Sequence, residues 1–116
     1  MNPKTRTWLN DLVQQAEFVA QLVARGRDAF DADMMLRFAA EDLLIRLGEC
    51  VSRIDRDDPE FAAAHPELEL RKLKNARNLV AHGYDLVDYA MIWDILSVHV
   101  PRMATAVATF LAGIAK

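Results

Sequence analysis

Residues Leu36–Ile54 read LRFAAEDLLIRLGECVSRI. Its apolar stripe includes Leu36, Phe38, Ala39, Leu43, Leu44, Leu47, Cys50, Val51 and Ile54, spaced at the threes and fours of a helix and not at the twos of a strand. The stripe is wide, as a helix at the centre of a bundle needs when it touches several neighbours. Asp31 or Asp33 can cap its start by accepting from a free backbone N–H. Gly48 inside it costs about 1 kcal/mol of helix propensity, which close approach of another helix would offset.

Working outward, Trp8, Leu12, Ala16, Val19 and Val23 repeat the same spacing. Pro3 suits a first helical turn and Gly26 a C-terminal stop, giving a first helix of about 22 residues. Arg27 to Phe30 read as a short connection. On the other side, Asp57-Asp58-Pro59-Glu60 resembles a cap followed by a first-turn proline, so Phe61–Ala64 forms one short turn, which His65-Pro66 breaks. A third helix is expected from about Leu68 to His82, with Leu70, Leu73, Ala76, Leu79 and Val80 inward and Gly83 as its stop. A fourth begins near Asp88 and carries Ile92, Ile95, Leu96, Met103, Val107, Phe110, Leu111 and Ile114. Pro101 is expected to kink or divide it. No strand pattern, repeat or linker interrupts this series. The expectation is one all-α domain over residues 1–116, an up-down antiparallel bundle of four to five helices.

Composition narrows the function classes. A chain of 116 residues with 53% hydrophobic residues and net charge -3 buries a real core yet has apolar surface left for a partner. Its single cysteine, Cys50, excludes an intramolecular disulfide and fits the reducing cytoplasm. The N-terminus lacks the apolar core of a signal peptide. No uninterrupted apolar run approaches the roughly 20 residues of a membrane span; Met103–Ala115 is shorter and reads as a core helix, so no membrane role is expected. Mild acidity argues against general nucleic-acid binding. The distribution argues otherwise: Arg71, Lys72, Lys74 and Arg77 place four cations in seven residues, while Glu41, Asp42, Glu49, Asp55, Asp57 and Asp58 lie elsewhere.

The basic cluster leads into Arg77-Asn78-Leu79-Val80-Ala81-His82-Gly83-Tyr84. Asn78 and His82 are four apart and share a helix face, so the amide can orient the imidazole. Arg77 and His82 are five apart, about 140° around an ideal helix. They converge only because His82 ends the helix and the arginine is long, or because a second subunit supplies the facing pair across a two-fold axis. Histidine exchanges a proton near neutral pH, and arginine grips phosphate oxygens in a fork. Together they suit phosphodiester cleavage without metal: His82 would activate the ribose 2′-hydroxyl or protonate the leaving 5′-oxygen, and Arg77 would stabilise charge on the phosphoryl oxygens. Arg71, Lys72 and Lys74 would draw in the RNA backbone. Glu49, with Asp42 as the weaker choice, is a candidate partner for Arg77 or His82 across the bundle. His65, His99 and Cys50 lack metal-ligand spacing, and no metal is expected. The plain alternative makes His82 a helix-terminal residue and Arg77 a surface cation.

The string RNLVAHGY resembles the R-x4-H-x-Y motif of the HEPN superfamily, in its HepT-like toxin branch. Leu47-Gly48-Glu49-Cys50 resembles that branch's I-G-E-A element. His65-Pro66-Glu67 followed by Leu73–Asn78 resembles its P-E-I-P-W and M-R-N stretch, and Trp93 with Val100-Pro101 resembles its V-W and L-P element. Leu70 stands near where the branch often has tryptophan. The resemblance covers residues 8 to 111. It implies a homodimer with the motif at a composite cleft, and metal-independent RNA cleavage by Arg77 and His82 without a cofactor on this chain. It also implies a small nucleotidyltransferase antitoxin as partner, using ATP and magnesium to transfer AMP onto Tyr84. The competing expectation is a non-catalytic subunit that binds nucleotide or presents Tyr84 to such a partner.

Overall fold

The computed structural model describes residues 1–82 and 87–115, and of Asn78, Leu79, Ala81 and His82 the backbone alone. The expected stop at Gly83 therefore lies outside the described residues. Among them there are no strands, and four long helices carry the fold: α1 (Pro3–Val23), α3 (Met34–Asp57), α5 (Leu70–His82) and α6 (Tyr89–Ile114). Two short helices join them, α2 (Arg27–Ala32) and α4 (Phe61–Ala64), with a 3-10 turn at Pro66–Leu68. The expected four to five helices are thus six. The extra one is α2, which folds the segment expected to be a connection around Phe30, a fully buried side chain.

Polar contacts fix the helix directions. The start of α1 is stitched to the end of α3: Asn2 Nδ2 donates to the Asp57 carbonyl (2.9 Å), the buried Thr5 hydroxyl to Asp58 Oδ2 (3.2 Å) and Trp8 Nε1 to Asp57 Oδ2 (2.8 Å). So α1 and α3 run antiparallel. Between α3 and α5, Asp55 meets Lys74 and Glu49 meets Arg77, so their order reverses and this pair is antiparallel too. Tyr89 at the start of α6 reaches Glu41 at one end of α3, and Phe110 near its end packs on Phe61 beyond the other. This is the up-down order that short connections favour.

Of the two expected caps, Asp33 accepts from Met35 N–H at α3, while Asp31 lies in α2; Asp88, not expected as a cap, accepts from Met91 N–H at α6. Gly26 has φ 91, a conformation that L side chains rarely adopt, and it separates α1 from α2. The third helix starts at Leu70, later than expected, because Glu69 (φ 55) interrupts the backbone after the 3-10 turn.

Pro101 neither divides α6 nor stands in an ordinary turn. Residues Ile95–His99 widen into a π turn directly before it, and Val100 N–H bonds back to Ile95. The wider turn accommodates the ring and the missing N–H. α6 is 26 residues long and holds an 18-residue window of mean hydropathy 1.4, enough by length and composition to cross a membrane. Its Ile92, Leu96, Val100, Met103 and Val107 are buried in this core, the ordinary behaviour of a bundle helix.

The core also takes Leu9, Leu12 and Val19 from α1, Leu44, Leu47, Val51 and Ile54 from α3, and Leu73 and Val80 from α5. The molecule measures 44 × 27 × 18 Å, so it is only about two helix diameters thick. The outer face of α3 is consequently uncovered. Phe38, expected to face inward, is 55% exposed there, beside exposed Ala39. A groove of about 730 Å³ runs between α1 and α3, with Phe18, Leu22, Leu36, Ala39 and Leu43 among its walls.

Candidate functional site

Arg77 and Glu49 meet where α5 crosses α3. Arg77 Nη2 donates to Glu49 Oε1 at 2.6 Å, with both side chains partly exposed (31% and 39%). Gly48 makes this crossing possible. A Cβ at Gly48 would stand 2.3 Å from Arg77 Cβ and 2.7 Å from its Cγ, far inside contact distance. The stem of Arg77 thus lies on the bare backbone of α3, its Nε is buried without a partner among the described residues, and its tip reaches back to the carboxylate. Nη2 is charge-paired and Nε is buried, so of the guanidinium nitrogens Nη1 is the one left for a ligand. Of the two acids offered by the sequence, Glu49 takes this role. Asp42 instead pairs with Arg46 on its own helix at 2.7 Å.

The neighbouring cations are engaged differently. Lys74 pairs with Asp55 across the α3–α5 seam (2.8 Å), and Lys72 pairs with Glu69 (3.2 Å). Arg71 is exposed, with no ion pair among the described residues. Asn78 and His82 lie within the backbone of α5, while Tyr84 lies outside the described residues. The structure therefore brings Arg77 onto Glu49 and places the rest of the basic cluster on the preceding turns of the same helix.

On the other side of Glu49, a polar groove of about 290 Å³ is lined by Asp11, Gln15, Arg46, Glu49, Cys50 and Arg53. Burial pushes the Cys50 thiol upward, with the Asp11 carboxylate acting in the same direction. It is a packed hydrophobe rather than a nucleophile. His65 stacks against Phe61 and Phe110 and bonds Glu67, so its role is local. Among the described residues no cluster of three or more His, Cys, Asp or Glu could hold a metal ion.

Sequence reasoning did not find the Tyr89 cluster. Tyr89 donates to Glu41 at 2.9 Å, Arg37 lies over its ring, and Phe30 packs on both Tyr89 and Trp93. Burial and the Glu41 carboxylate raise the Tyr89 phenol above its ordinary range. The alternation of aromatic and charged residues carries no spacing signal, because the partners come from three helices.

The model of the ribonuclease HepT-like family matches residues 12–110. The chain belongs to the HepT-like ribonuclease family. The match runs from α1 to near the end of α6 and includes Glu49, Gly48 and all of α5. Among curated relatives, a candidate RNase of Methanocaldococcus jannaschii is 25% identical over 84% of this chain and 88% of its own. A candidate RNase of Caldanaerobacter subterraneus subsp. tengcongensis is 25% identical over 91% and 93%. A protein named "Probable ribonuclease HepT" from Thermococcus cleftensis is 24% identical over 89% and 92%. No solved structure matches the chain. The residues that carried the resemblance thus fall in a HepT-like ribonuclease chain, with Arg77 seated on the glycine and glutamate of the second element.

Proposed function

We propose that this HepT-like chain is a metal-independent endoribonuclease, the toxin of a toxin–antitoxin pair, working in the cytoplasm as a homodimer. The observation that carries the reading is the seat of Arg77. A guanidinium held on one edge by Glu49 and on its stem by α3 is pre-oriented, so little side-chain entropy is lost when it meets a phosphate. His82 supplies the proton transfer, with Asn78 four residues earlier to orient it. On attack by the 2′-hydroxyl, the phosphorus–5′-oxygen bond breaks, leaving a 2′,3′-cyclic phosphate and a 5′-hydroxyl. Arg77 neutralises the charge that builds on the phosphoryl oxygens.

The seat also favours a site built by two subunits. Arg77 is drawn toward α3, whereas position 82 lies about 140° further round α5. Arginine from one copy facing histidine from the other resolves the mismatch. The exposed apolar residues Phe18, Met35 and Phe38 on the uncovered α1–α3 face suit burial by that second copy. Arg71 and Lys72 offer the first contacts to the RNA backbone, with Lys74 adding charge from its pair with Asp55. The antitoxin partner would be a small nucleotidyltransferase that, with ATP and magnesium, places AMP on Tyr84. That adds bulk and negative charge two residues beyond His82, where RNA must bind.

Cleavage of labelled RNA by the pure protein in EDTA tests the reading. Wild-type protein is expected to cut, and Arg77→Ala and His82→Ala are each expected to lose at least about 100-fold in kcat. Undiminished cutting by either variant rules out the assigned roles.

A further inference from the structure

Between α5 and α6 lies a cavity of about 280 Å³ lined by Lys72, Leu73, Asn75, Ala76, Ile95 and His99. Leu73 and Ala76 are buried and Ile95 half-buried, giving an apolar slot. Lys72 and Asn75 are exposed and His99 half-buried at its edge. The lining is chiefly apolar, and an ammonium, an amide and an imidazole stand at its edge. A planar heterocycle, with apolar faces and hydrogen-bonding edges, is the complementary shape.

The polar groups are set for such an edge. Arg102 Nη2 stands 3.1 Å from His99 Nδ1. A guanidinium only donates, so Nδ1 is the acceptor of this pair and Nε2 is left for another partner. Neither Nε2 nor the Asn75 amide has a partner among the described residues. Glu69 accepts from Lys72 Nζ (3.2 Å) and from Arg102 Nε (3.1 Å), fixing both cations beside the opening. Two cations thus flank one carboxylate beside the opening, a rim with net positive charge that attracts phosphate.

We infer that this cavity is a nucleobase subsite. One base of a single-stranded RNA enters between α5 and α6 and lies against half-buried Ile95, over a floor that Leu73 and Ala76 close from below. Asn75 and His99 bond its edge, and Lys72 and Arg102 meet the adjoining phosphate. The inference rests on the reading of RNA as substrate and adds where a base is held. Asn75 stands seven residues before His82, about 10 Å along the α5 axis, so a strand lying along α5 spans both places.

The test titrates the protein with uridine and adenosine 5′-monophosphates, and with ribose 5-phosphate as control, while following the methyl resonances of Leu73 and Ile95. The same preparation is assayed on labelled RNA. The nucleotides are expected to shift both residues saturably and ribose 5-phosphate to leave them unmoved. Asn75→Ala, at an exposed position that keeps the fold, and His99→Ala are each expected to weaken nucleotide binding about tenfold and to raise KM for RNA. Equal shifts with ribose 5-phosphate would show anion binding only and overturn base recognition. Absent shifts in a protein that cleaves RNA overturn the subsite alone. Saturable nucleotide binding without RNA cleavage supports the subsite and counts against the nuclease reading.

Discussion

Arg77 rests on a glycine and against a carboxylate, and each support has its own consequence. The Arg77–Glu49 pair is partly exposed, and such pairs contribute about 0–1 kcal/mol to stability. Its value lies in orientation. Glu49→Gln is therefore expected to leave Tm within about 4 °C while lowering kcat for RNA by roughly tenfold or more, measured by thermal melts beside single-turnover cleavage. A second residue sets behaviour in acid. Hydrogen bonds from Arg56 and then Trp8 hold the Asp57 carboxyl down at about 2, against an ordinary 3.8. A depressed carboxyl stabilises the fold above its unfolded pKa and loses that contribution as pH falls through the folded value. Denaturant midpoints of wild type should fall between about pH 4 and pH 2. Asp57→Asn should be less stable at pH 6 and show a shallower fall; parallel curves for the two proteins would contradict the assignment. The sequence had placed Glu49 and Asp42 as rivals for Arg77. It could not separate them, because the choice depends on how α5 is registered against α3. The Lys74–Asp55 pair was hidden for the same reason.

The α3–α5 crossing is the element on which the site depends. Gly48 looked in the sequence like a lapse in a good helix that a close neighbour would excuse, and the neighbour is the stem of Arg77. Gly48→Ala gains helix propensity worth about 1 kcal/mol, but puts a methyl 2.3 Å from Arg77 Cβ. Overpacking of that kind costs about 1–3 kcal/mol. The variant is expected to melt lower than wild type and to lose cleavage; an equal or higher Tm would show that α5 does not rest on Gly48. The helix pattern, a cap at Asp31 or Asp33, the start near Asp88 and the break at His65-Pro66 were legible because each is a local signal. The π turn before Pro101 was not. Proline announces a disturbance, but the form it takes follows from packing along Ile95–His99. Phe30 was missed because a six-residue helix is too short to display periodicity.

At the scale of the whole molecule, a body 18 Å thick leaves one face of its central helix uncovered. Phe38 was expected in the core because its spacing fits the stripe, and a sequence does not say whether a second layer exists to cover it. If another copy covers that face, Phe38→Glu should give a folded monomer, since the side chain is already 55% exposed. Sedimentation should show half the wild-type mass, with helical content unchanged and RNA cleavage lost. The fullest test of a shared site mixes two inactive proteins, Arg77→Ala and His82→Ala, under conditions where subunits exchange. A mixed dimer holds one complete pair, arginine from one copy and histidine from the other, and half of randomly exchanged dimers are mixed. The mixture should therefore recover roughly a quarter of wild-type RNA cleavage. A mixture that contains mixed dimers yet stays as inactive as its parts, beside an active wild type, would contradict the composite site.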